Sequence, residues 1–172
     1  MMEYVTLVDE KDKEVGIMEK LLAHRTGDLH RAISVFVFNS NGELLLQRRA
    51  MNKYHSPGLW SNTCCSHPRP GEKVIDAAAR RLEEELGINC QLKHQFSFIY
   101  KASFDNGLTE HEYDHVFFGT TDDEPQPDAN EVMDWKYADL DDIENDMLAN
   151  RTAYTYWFRF IFDRIREVKQ SA

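Results

Sequence analysis

Trp60–Gly87 reads WSNTCCSHPRPGEKVIDAAARRLEEELG, and it decides how the chain is built. A Pro-bounded turn carries Cys65 and His67, then leads directly into Lys73–Leu86, a stretch without Gly or Pro that is rich in Ala, Arg, Leu and Glu. That composition predicts a helix, and Gly87 is placed to end it, because glycine takes the left-handed C-terminal position without steric cost. A thiol, an imidazole and carboxylates on one helix are the ingredients of a metal-assisted proton-transfer or phosphate site.

The flanking sequence predicts strands. Glu3–Val8 and Glu14–Met18 alternate apolar and polar residues around Asp9–Lys13, which gives an N-terminal hairpin over about 3–18. Arg31–Phe38 and Glu43–Gln47 flank Asn39-Ser40-Asn41-Gly42, a second and stronger hairpin pattern. Cys90–Phe104 and Glu112–Thr120 read as strands around the turn at Asp105-Asn106-Gly107. Asp122–Asn130 is a polar loop and Glu131–Tyr137 another strand. A short acidic helix follows over Asp139–Leu148, then an aromatic-rich one over Thr152–Val168. The order predicts a mixed α+β fold in one domain spanning 1–172.

With 172 residues there is room for one domain with a sizeable core. A net charge of −10 argues against nonspecific nucleic-acid binding, although a local Arg/Lys cluster can still hold a small anion. No apolar run reaches the roughly 18 residues of a membrane span, and the N-terminal MMEYVTLVDEKDKE lacks the layout of a signal peptide. A cytoplasmic monomer is the expectation. Three cysteines, two of them adjacent, predict free thiols: either one does chemistry or all three are small core residues.

His24, His30 and His67 fall at element ends or turns, and Glu110 and Glu112 share one strand face because side chains repeat every two residues. Imidazole with carboxylate suits Mn²⁺ or Zn²⁺, or Mg²⁺ where oxygens dominate. On spacing alone, seven histidines scattered over an acidic surface stays an open alternative, since no HExxH or paired CxxC is present. Glu72, Glu84 and Glu85 bring carboxylates to the central helix, which read by itself is a solvated face with i,i+4 ion pairs. Arg48, Arg49, Lys53, Arg80 and Arg81 lie close in sequence, and the Arg fork matches phosphate oxygens. Together these point to a metal-dependent enzyme acting on a phosphorylated small molecule.

Ser66–Ile88 resembles a degenerate Nudix box, G-x5-E-x7-R-E-U-x-E-E-x-G-U with U aliphatic. Glu72, Arg80, Leu82, Glu84, Glu85, Gly87 and Ile88 match, whereas Ser66 replaces the first Gly and Arg81 an acidic residue. A basic side chain in the acidic row argues against simple Nudix hydrolysis. The wider chain is similar to the type 1 isopentenyl-diphosphate delta-isomerases, through KLLAHRTGDLHRA, LLLQRRAMNKYHSPGLWSNTCCSHPRPGE, RRLEEELG, FIYKASFDNGLTEHEYDHVF, NEVMDWKY and the Trp-bearing terminal helix.

That resemblance implies a Nudix fold, mixed sheets flanked by helices in an α/β/α sandwich, with its core over about 30–165. It implies a site of His24, His30, His67, Glu110 and Glu112 for Mn²⁺ or Zn²⁺, and Glu85 for a Mg²⁺ that arrives with the diphosphate. Cys65, Glu112 and Tyr100 match the catalytic positions; Lys20, Arg49, Lys53 and Arg81 match diphosphate contacts, and Trp157 an aromatic wall over the hydrocarbon. The implied reaction moves the double bond of isopentenyl diphosphate to give dimethylallyl diphosphate. Protonating an unactivated alkene generates a tertiary carbocation, so the site must be closed and largely apolar. A π face such as Trp157 steadies the cation by about 2 kcal/mol when desolvated, though a plain core aromatic is an equal reading of that residue. In this scheme Glu112 delivers a proton to the methylene and Cys65, as thiolate, removes one, with cations near the sulfur keeping it ionised. Within the same fold the alternative is a pyrophosphatase acting on a nucleoside diphosphate derivative. A non-catalytic binding module would not need the thiol.

Overall fold

A computed structural model describes residues 2–171. Its spine is a parallel ladder between β3 (His30–Phe38) and β8 (Thr109–Thr120), in unbroken register from His30 opposite Glu112 to Phe38 opposite Thr120. β7 (Leu92–Ser103) lies antiparallel to β8 on its other side. The hairpin of β1 (Tyr4–Val8) and β2 (Glu14–Glu19) joins the His30 end of β3.

Helices cover both faces. α2 (Val74–Leu86) packs Ala78, Leu82 and Leu86 on Ile33, Val35, Val37, Leu45 and Phe117. α3 (Leu140–Ala149) and α4 (Tyr156–Ser171) cover Phe36, Phe38, Leu44, Leu46 and Val116, where β4 is Leu44–Arg49. Alternate residues of β3 feed alternate layers, as the period of two requires. The result is the expected α/β/α arrangement, and α2 ends on Gly87 at φ 64. Among the described residues no helix is long and apolar enough to cross a membrane.

One expectation fails in an instructive way. Asn39–Gly42 does turn the chain, yet the β3–β4 ladder holds only Phe38 opposite Leu44. Beyond that pair the two strands part. β3 takes β8 and β6 (Cys64–Ser66), while β4 takes β5 (Trp60–Ser61) and β9 (Val132–Ala138). Both strands are buried on both faces, so each needs a partner along each edge; a hairpin would satisfy one edge only.

The fork between them is filled by Trp60–Ser66 and pinned by side chains. Thr63 Oγ1 accepts the Val37 N–H at 2.9 Å and donates to the Leu45 carbonyl at 2.7 Å. Asn62 Nδ2 donates to the Val35 and Cys64 carbonyls, and Gln47 Nε2 to the Thr63 carbonyl. This wedge fixes Cys65 opposite Ser34 of β3. Thr63→Val leaves a buried N–H and C=O unpaired and is expected to cost about 1–3 kcal/mol; an unchanged urea midpoint would contradict the pinning role.

Two further elements differ from expectation. α1 (Lys20–Thr26) was not anticipated; the Glu19 carboxylate caps it by accepting from the Leu21 and Leu22 N–H groups, and Gly27 ends it at φ 76. Seven residues are too few to display a helical period. α4 begins at Tyr156 rather than Thr152, because Arg151–Ala153 forms a 3₁₀ turn and Thr155 is committed elsewhere. Its N–H donates to the Trp60 carbonyl and its hydroxyl lies 2.9 Å from that of Ser61.

Candidate active site

α1, β3, the turn after β6 and β8 bring His24, His30, His67 and Glu112 together, with ligand atoms all within 4.8 Å of one another. His24 Nδ1 lies 2.7 Å from the Lys20 carbonyl and His30 Nδ1 2.9 Å from that of Asp28. Those carbonyls fix the proton on Nδ1, so each Nε2 offers a lone pair to the cluster, the arrangement that orients metal-binding imidazoles. His30 Nε2 is buried and makes no hydrogen bond; it stands 3.5 Å from Glu112 Oε2. Orphaned buried nitrogens cost free energy unless something fills the lone pair. Three imidazoles and a carboxylate thus fit a divalent cation.

Glu110 is not in that group. Its Oε1 lies 2.7 Å from Nε2 of His55, and His24, His55 and Glu110 form a second set within 4.8 Å. The expected five-residue site is therefore two overlapping sets that share His24, and His55 was not foreseen. Asp114, the next residue on the Glu110–Glu112 face, was also missed; it accepts from the Ser34 hydroxyl at 2.8 Å, and its Oδ1 has no partner.

The charges sort themselves. Burial works against the Glu112 carboxylate, but the facing imidazoles of His30 and His67 outweigh it and hold the group well below the usual carboxylate range. His67 Nε2 is 2.7 Å away, and burial pushes this imidazole down to about 4 despite the pull of Glu112. Burial and then the charge on Glu112 push Glu110 up. Like charges in one dry site cannot both ionise cheaply.

Cys65 is half-buried on the same cavity as Glu112. Its sulfur lies 3.1 Å from Asn62 Oδ1, 3.1 Å from the Trp157 indole nitrogen and 3.5 Å from the Ser34 hydroxyl. Burial and the neighbouring Asp114 push the thiol up, against its hydrogen bonds with Ser34 and Asn62. Cations were expected near the sulfur, and none of those three neighbours is one. Tyr100 sits directly opposite Glu112 in the β7–β8 ladder. Its hydroxyl is buried without a partner, burial raises its pKa, and its ring packs beside Tyr156 and Phe160.

The cavity is about 630 Å³, and Lys20, Arg49, Lys53, Arg81 and Trp157 all line it. Arg49 lies 5.2 Å from the Trp157 ring centre. Several cations already hold carboxylates. Lys20 pairs with Glu3, Lys53 with Glu131 at 2.5 Å, and Arg81 with Glu84 at 2.6 Å and Glu131 at 3.4 Å. Glu85, expected as a Mg²⁺ ligand, is buried away from the cavity; it accepts from the Cys64 thiol and from Arg81 at 3.2 Å. It holds Arg81, which lines the cavity. Glu72 binds Arg80 through two hydrogen bonds, at 2.8 and 2.9 Å, so this part of the box is structural.

Residues 28–158 match the NUDIX domain. Among solved structures, DR0079 from Deinococcus radiodurans superposes with a TM-score of 0.80 at 22% identity, covering 94% of this chain and 98% of that one. The MutT protein from Methanosarcina mazei Go1 gives 0.68 at 20% identity, covering 81% and 94%. These likenesses establish the fold. Curated relatives are much nearer in sequence. Isopentenyl-diphosphate Delta-isomerase 2 of Aromatoleum aromaticum is 53% identical over 165 residues, 96% of this chain and 87% of the relative. Isopentenyl-diphosphate Delta-isomerase of Pectobacterium atrosepticum is 53% identical over 167 residues, covering 97% and 93%. With a NUDIX domain over most of its length and half its residues identical to these proteins nearly end to end, the chain belongs to the isopentenyl-diphosphate Delta-isomerase family of the Nudix superfamily.

Proposed function

We propose that the chain interconverts isopentenyl diphosphate and dimethylallyl diphosphate. The observation that carries the reading is that Cys65 and Glu112 open onto one cavity while Arg81 breaks the acidic row of the hydrolytic box. A pyrophosphatase needs that row and has no use for the thiol.

The diphosphate is taken by Lys20, Arg49, Lys53 and Arg81, which line one cavity. Five tail carbons, at about 0.8 kcal/mol per buried CH₂, add little, so most affinity is ionic. Trp157 forms the wall against which the hydrocarbon lies. Its indole N–H is engaged by Cys65 and Asn62, so the ring orientation is set before substrate arrives. A divalent ion held by His24, His30, His67 and Glu112 supplies positive charge that orients this carboxylate and tunes its acidity when bound; Glu110, through its tie to His55, is the adjoining oxygen donor.

One proton is shared between Cys65 and Glu112 through the substrate. In the forward direction the protonated Glu112 delivers a proton to the terminal methylene, with Tyr100 opposite it in the ladder as a hydroxyl partner. The Cys65 thiolate removes a proton from the carbon nearer the diphosphate, and the double bond forms there. The pair is then left as neutral thiol and carboxylate. The surroundings lean the same way, since burial and Asp114 push the thiol up while His30 and His67 hold Glu112 down. That state is the form ready for the reverse reaction, and the forward one begins when the proton moves to Glu112.

Incubation with isopentenyl diphosphate and Mg²⁺ in D₂O, followed by NMR, tests the proposal. Deuterium incorporation with a shifted double bond is expected, and release of inorganic phosphate would favour the pyrophosphatase instead. Chelation is expected to abolish turnover, with recovery on adding back Mn²⁺ or Zn²⁺ together with Mg²⁺; full activity in metal-stripped protein would exclude the His/Glu ligand set.

A further inference from the structure

His55 precedes the turn at Ser56–Gly58 and is only 4% exposed. Its ring stacks on Phe104, with centres 5.0 Å apart and planes at 7°, and meets Trp157 edge-on at 5.6 Å and 89°. Nε2 lies 2.7 Å from Glu110 Oε1. Its own backbone carbonyl accepts from Arg49 at 3.2 Å, and that guanidinium also lies over Trp157. One histidine therefore touches the carboxylate beside the metal cluster, the aromatic wall and an arginine expected to bind diphosphate.

Local backbone supports the same reading. Ser56 sits at φ 50, a left-handed conformation that costs a side-chain-bearing residue about 1 kcal/mol or more. There its hydroxyl lies 3.4 Å from His55 Nδ1. A hydroxyl proton directed at Nδ1 leaves the ring hydrogen on Nε2, where it faces the Glu110 oxygen.

We infer that His55 is a positioning residue: its Nε2–H fixes the Glu110 carboxylate, and its ring braces Trp157 against it. It is not itself a metal ligand. His24 is shared by both ligand sets and one Nε2 lone pair serves one ion, while the Ser56 hydroxyl at His55 Nδ1 leaves the ring proton on Nε2, the nitrogen that faces Glu110. The inference rests on the proposed metal site, but its readout is metal binding without substrate, so failure of the isomerase reading would leave it standing.

The test is titration of metal-stripped full-length protein with Co²⁺. His55→Phe keeps the stack and removes both nitrogens; its Co²⁺ affinity is expected to fall about 10–100-fold, as for loss of an outer partner of a ligand. Far-UV circular dichroism and the wavelengths of the Co²⁺ absorption bands are expected to stay unchanged. His55→Gln, which restores an N–H donor, is expected to recover most of the affinity. Wild-type affinity in His55→Phe would overturn the inference, as would displaced bands, which would make His55 a ligand. If His55→Phe fails to fold, His55→Gln decides: near-wild-type affinity supports the hydrogen-bond role, and a loss of tenfold or more overturns it.

Discussion

Cys65→Ala is expected to lower turnover of isopentenyl diphosphate by about 10²–10⁴-fold, the usual worth of one positioned acid–base group, with a thermal midpoint close to wild type. The fold tolerates the change because the sulfur is half-buried and pins nothing unaided. Asn62 keeps its donations to the Val35 and Cys64 carbonyls, and the Trp157 indole N–H retains Asn62 Oδ1 at 3.3 Å. The stability lost is that of one weak hydrogen bond, about 1 kcal/mol. Steady-state assay beside thermal denaturation separates the two effects. Activity near wild type would mean that the thiol takes no part. Cys64→Ala is the natural control: its thiol is fully buried, donates to Glu85 and does not line the cavity, so it bears on Arg81 rather than on the olefin.

Glu112→Gln is expected to cost at least as much, because one side chain serves as metal ligand and as proton carrier. The amide keeps the shape but not the charge that His30 and His67 face. Metal affinity should fall together with turnover, which distinguishes this variant from Cys65→Ala, where bound metal stays at the wild-type amount. Metal analysis of both purified proteins checks the contrast. Turnover at the wild-type rate with metal lost would contradict the assignment. The double variant should be far from additive, since two groups that pass one proton act as a unit.

Much of this was legible from local pattern. Lys73–Leu86 is helical from composition and Gly87 closes it; Glu110 and Glu112 share a face because strands alternate. The same alternation extends to Asp114. Other features depend on pairing, which periodicity does not encode. Tyr100 meets Glu112 only through the β7–β8 register, and the Asn39–Gly42 turn gives no hint that β3 and β4 part after a single pair. Short pieces were invisible for want of length: α1, which carries His24, and β5 and β6, which carry the wedge that holds Cys65. His55 stood in plain view in KYHSPG, yet its partners come from Glu110 and Trp157, far along the chain. The charge state of the thiol belongs to the same class, since Ser34, Asn62, Asp114 and Trp157 reach it from four separate segments.

A crystal structure of the metal-loaded protein with an unreactive analogue of isopentenyl diphosphate bears most directly on the central claim. The branched tail is expected against Trp157, with the Cys65 sulfur on one side of the alkene plane and the Glu112 carboxylate on the other, each within about 3–4 Å of a reacting carbon. A tail bound with both groups on the same side, or with Cys65 out of reach, would contradict it.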